Sequence, residues 1–101
     1  MIIRIVKMTF EEDKVSTFLT LFNEYKSRIK ASEGCHRLEL LKDHSANNVF
    51  FTYSEWEHEE MLDKYRYSTL FKTVWGQTKA LFSAKAEAWS LDKLMEVNNE
   101  K

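Results

Sequence analysis

The sequence predicts an α+β domain in the order β-α-β-β-α-β, built on a four-stranded antiparallel sheet. Three observations predict it. A β-branched opening, Ile2-Ile3-Arg4-Ile5-Val6, gives way to apolar residues at helical spacing. Two strand-like runs then follow, joined by a short polar connector. A second helical stretch leads into one more alternating run.

The opening run, with Met8, reads as a strand buried on at least one face. Thr9-Phe10-Glu11-Glu12 has the spacing of a capping box, with Thr9 as N-cap and Glu12 reaching back. Beyond it, Val15, Phe18, Leu19, Phe22, Tyr25 and Ile29 form the apolar stripe of a helix. Acids Glu11, Glu12 and Asp13 gather at its start and bases Lys26, Arg28 and Lys30 at its end, as the helix dipole favours. Gly34 is the stop.

Cys35–Lys42 and Val49–Trp56 read as a hairpin around Asp43-His44-Ser45-Ala46-Asn47-Asn48. Alternation on the second strand puts Val49, Phe51, Tyr53 and Glu55 on one face and Phe50, Thr52, Ser54 and Trp56 on the other. Both faces carry aromatics, so both should be at least partly covered. Glu57–Phe82 is helical, with a break near Tyr67-Ser68 that Ser68 can cap. In Ala84–Leu91 the Ala, Lys and Glu content favours helix. Strict alternation there favours strand, and a fourth strand completes the sheet, so strand is the expectation.

The order is that of the ferredoxin-like split unit, whose two helices cover one sheet face and leave the other open. The apolar residues on that second face predict a homodimer through it. With 101 residues the chain is one domain, read as residues 1–94 with a frayed tail over 95–101.

Charge and composition exclude several function classes. Fifteen Lys and Arg nearly balance sixteen Asp and Glu, and no basic block gives the footprint of nucleic-acid binding. No run nears the ~20 apolar residues a membrane helix requires. The opening run is too short for a signal peptide and is broken by Arg4. A single cysteine, Cys35, allows no internal disulfide and fits a reducing compartment, so a soluble cytoplasmic protein is expected. His36, His44 and His58 lack metal-ligand spacing, and no Gly-rich phosphate loop or Gly-x-Ser-x-Gly elbow is present. No metal site is expected.

What remains is an aromatic series: Trp56 at a strand end, then Tyr65, Phe71 and Trp75 at helical spacing. Such stripes are most often plain core. They can also wall a small-molecule pocket, with Thr52, Ser54 and Ser68 as polar tips. The order and spacing of Trp56, Tyr65, Ser68, Phe71 and Lys72, with Gly34-Cys35 and Ala88-Trp89-Ser90, resemble the antibiotic biosynthesis monooxygenase family. The resemblance implies a dimeric α+β barrel of two packed sheets. It also implies a cofactor-independent oxygenase acting on a small aromatic phenol or quinol, whose carbanion itself reduces dioxygen.

On that likeness Trp56 and Tyr65 are the candidate catalytic residues, Trp56 through its indole N–H and Tyr65 as hydrogen-bond donor or proton relay. Thr52, Ser54, Ser68, Phe71, Trp75 and His36 complete the pocket, with His36 or His58 as a weaker base candidate. The family's heme-degrading members carry a first-strand Asn and a heme-ligating His on the second helix. Val6 or a neighbour stands in place of that Asn and Trp75 in place of the His, so no cofactor is expected. Its isomerase-like members tend to carry a His where Tyr65 stands. The alternative from another functional class is a non-catalytic dimeric module that captures a flat apolar molecule, favoured by the lack of a clear buried acid–base pair near Trp56.

Overall fold

A computed structural model describes residues 1–99; the last two residues of the tail expected to fray lie outside the described residues. The elements are β1 (Ile2–Thr9), α1 (Val15–Lys30), β2 (Cys35–Lys42), β3 (Val49–Trp56), α2 (Glu59–Arg66), α3 (Thr69–Lys79) and β4 (Glu87–Asp92). Every strand pairing is antiparallel, in the spatial order β2-β3-β1-β4, as the ferredoxin-like reading requires. The long second helical stretch divides where Tyr67-Ser68 suggested, into α2 and α3.

Register fixes which residues meet on each sheet face. Ile2, Arg4, Val6 and Met8 stand opposite Trp56, Ser54, Thr52 and Phe50, and this side carries the helices. Its core gathers Met8, Phe10, Phe18 and Phe50, with Phe10 and Phe18 stacked at 4.2 Å. Burying each such aromatic contributes about 1.5–3 kcal/mol. The other side presents Ile5, Phe51, Tyr53, Trp89 and Leu91, with Trp89 43% and Leu91 47% exposed. Residues 93–99 have no regular structure, and Leu94, Met95 and Val97 are each more than four-fifths exposed.

Two details correct the sequence reading. Thr9 caps no helix. It is the last residue of β1, paired with Val49, and its carbonyl accepts from Ser83 N–H at 2.9 Å. Phe10, fully buried, keeps the chain in the sheet: its N–H donates to the Asn48 carbonyl and its carbonyl accepts from Asn48 Nδ2, each at 2.9 Å. A 3-10 turn over Glu12–Lys14, with no side-chain cap, then leads into α1. The stripe on α1 is also displaced, because Leu21 is buried and Leu19 is 42% exposed. The fold turns α1 so that Phe18, Leu21 and Ile29 form its buried line.

Candidate functional site

Between the sheet and its helices lies a cavity of about 310 Å³. That is the lower end of the small-molecule range, with room for one or two fused rings. β1 and β3 floor it with Arg4, Val6, Thr52, Ser54 and Trp56, while Tyr65, Phe71 and Trp75 of α2 and α3 wall it.

The aromatics form a continuous ladder. Trp56 and Tyr65 stack at 5.1 Å between ring centres, Tyr65 meets Phe71 edge-on at 5.3 Å, and Phe71 stacks on Trp75 at 5.9 Å. Helical spacing turns Tyr65, Phe71 and Trp75 towards the sheet. Ser68 makes the corner between the two helices: its hydroxyl accepts from Phe71 N–H at 3.1 Å and donates to the Tyr65 carbonyl at 2.6 Å.

Trp56 is almost fully buried, in a cluster with Cys35 and Leu62. Its indole N–H donates to Ser54 Oγ at 2.9 Å, and that hydroxyl donates weakly to the Arg4 carbonyl at 3.5 Å. A buried N–H must find an acceptor, and the serine two residues back on the same strand face supplies it. Burial, and secondarily Cys35, push the Tyr65 phenol up to about 12, so it stays protonated at neutral pH with its hydroxyl proton available to donate. Burial likewise pushes the Cys35 thiol up and keeps it unionised.

The structure therefore brings Thr52, Ser54, Trp56, Tyr65, Phe71 and Trp75 to one cavity. His36 and Ser68 do not line it. His36 sits where the β2–β3 register shifts, and it points outward to Glu57 at 3.2 Å. His58, the other base candidate, is also exposed and lies 3.8 Å from the same carboxylate. Among the described residues no group of three His, Cys, Asp or Glu side chains converges as a metal site would.

A family model described as antibiotic biosynthesis monooxygenase matches residues 1–75, a span that includes the whole aromatic ladder. The chain belongs to that family.

Solved structures with the same fold include an antibiotic biosynthesis monooxygenase at 17% identity and TM-score 0.87, covering 94% of this chain and 100% of that one. A conserved protein from Methanosarcina mazei Go1 matches at 22% identity and TM-score 0.85, covering 91% and 92%. Rv0793 from Mycobacterium tuberculosis matches at 18% and 0.87, covering 96% and 98%. At these identities the likeness is one of fold. No curated protein matches the chain. Among the described residues no helix is long and apolar enough to cross a membrane.

Both arginines that line the cavity of this monooxygenase-family chain, Arg4 and Arg66, lie outside the set expected from sequence. A signal for Arg4 existed, since it interrupts an apolar strand at a position of the same parity as Ile2 and Val6. Arg66 ends α2 and carried no such mark.

Proposed function

We propose that the chain is a cofactor-independent monooxygenase acting on a small aromatic phenol or quinol, and that it works as a homodimer. The observation that carries this is the stacked wall of Trp56, Tyr65, Phe71 and Trp75 around a ring-sized cavity with few polar groups. A flat ring lies against such a wall, and the polar tips of Thr52, Ser54 and Tyr65 orient its oxygens.

The chemistry needs little more than that. The substrate gives up a proton to solvent, and the electron pair of the resulting carbanion reduces dioxygen to a peroxide while a carbon–oxygen bond forms. The second proton on that carbon then leaves; its C–H electron pair makes the ring carbonyl as the oxygen–oxygen bond breaks, and the outer oxygen departs as water. Trp56 N–H, released from Ser54, and the protonated Tyr65 hydroxyl supply hydrogen bonds to the negative oxygen that develops. Positioning and exclusion of water do the rest.

The open sheet face supports the dimer. Leu41, Trp89 and Leu91 are each 43–47% exposed there, an apolar area that a second copy of the sheet would cover. A cytoplasmic setting agrees with the single free cysteine.

One observation favours the second reading, a dimeric binding module without chemistry. Among the described residues the cavity lining holds no histidine, and its one acid, Glu87, is in register with Lys7 and so projects from the opposite face. Turnover under isotopically labelled dioxygen separates the two readings. One labelled oxygen in a quinone product supports the monooxygenase, whereas binding of the same phenols with no labelled product supports the module.

A further inference from the structure

The mouth of the cavity carries charge that its walls leave unbalanced. Arg4 projects from the middle of β1 onto the helix side, in register with Ser54 and Ser90, and donates from Nη1 to Ser90 Oγ at 2.9 Å. Arg66 lines the same cavity from the last turn of α2. Among the described residues Arg4 enters no ion pair, and Arg66 has only a long contact to Asp63 at 3.9 Å. Glu87 projects from the other face, as its register with Lys7 requires.

Two guanidiniums beside an apolar wall repel one another and lose water, which is unfavourable in the empty site. The direction of the Arg4 equilibrium agrees. Burial first, and Arg66 second, pull it below its usual value, with Asp63 opposing. A bound anion would relieve both costs.

We infer that Arg4 and Arg66 form an anion-binding end of this cavity, and that its ligand is a hydroxyaryl carboxylate. Its rings lie against Trp56, Tyr65 and Trp75, and its carboxylate meets the guanidiniums. The inference rests on the cavity being the ligand site proposed above, and adds the class of molecule it takes. A carboxylate matches the planar fork of arginine, which can donate two parallel N–H bonds to it. Its negative charge also meets no inward-facing carboxylate in the cavity lining.

The test is calorimetric titration of wild type, Arg4→Gln and Arg66→Gln with two probes, hydroxynaphthoate and neutral naphthol. Wild type should bind hydroxynaphthoate about tenfold tighter or better, the scale of one charge-assisted hydrogen bond. That preference should shrink with added salt. Each variant should lose most of the preference while keeping its affinity for naphthol. Equal wild-type affinity for the two probes, or a preference that survives in both variants, overturns the anion site and leaves the cavity standing as a neutral-ring pocket. Binding of neither probe overturns the cavity reading, and the anion site falls with it. Arg66 is itself exposed at the end of α2, so Arg66→Gln decides the matter even if Arg4→Gln, which disturbs the Ser90 bond, fails to fold.

Discussion

Single residues in this site are governed by what burial does to a polar tip. Trp56 presents one N–H, now given to Ser54, and a substrate oxygen would have to compete for it. If that transfer supports turnover, Trp56→Phe should keep the stack on Tyr65 and the fold, yet lower kcat on the order of 10²-fold. A rate within about twofold of wild type would leave the indole a packing role alone. Tyr65 gives a pH prediction. Its folded equilibrium, about 12, lies above the ordinary phenol value, so from pH ~10 upward the unfolded chain ionises first. Stability from this group is intact below pH ~10 and is lost as pH rises towards about 12. Tyr65→Phe should flatten that alkaline loss in urea melts and remove the highest-pH step of the tyrosine absorbance titration. At this scale the aromatics were legible in the sequence because helical spacing and strand alternation aim them together. His36 was not, since the register shift beside it appears only once the strands pair.

Turns and caps decide how the elements meet around the cavity. Gly34 has φ +81°, and a Cβ there would stand 2.5 Å from Met61 Cγ, so this position both permits the turn into β2 and lets α2 settle on it. Gly34→Ala should therefore cost about 2–4 kcal/mol in denaturant unfolding, from left-handed backbone and overpacking together. Ser68→Ala removes the cap of α3 and should cost about 1 kcal/mol; a cost near zero would mean that packing alone holds the α2–α3 corner. The Ser68 cap was readable in advance and the Thr9 cap was misleading, and the contrast is physical. Around Ser68 nothing competes for the helix start, whereas Thr9 and Phe10 give their backbone groups to Ser83 and Asn48. Non-local partners of that kind leave no local trace. β4 was found by alternation against helical propensity, because pairing with β1 outweighs the preference of Ala, Lys and Glu.

At the scale of the whole molecule, the sheet has one face closed by helices and one face with exposed Trp89, Leu91 and Leu41. Sedimentation should find a dimer, and Trp89→Glu should shift it to monomer by placing a charge on the face where two sheets would pack. A wild-type monomer at all concentrations would leave this face without a partner copy. The fold class and the order of elements along the chain were legible because each element's period repeats over several residues. The charge at the cavity mouth was not, because Arg4 and Arg66 are distant in sequence and meet only through β1 and the end of α2. The central claim is that this cavity lets a phenolic substrate reduce dioxygen unaided. Oxygen uptake with hydroquinones and anthrone-type phenols, with chelator present and no cofactor added, tests it most directly. The account predicts uptake that boiling abolishes and Trp56→Phe sharply lowers; no uptake, from protein shown to bind the same compounds, would contradict it.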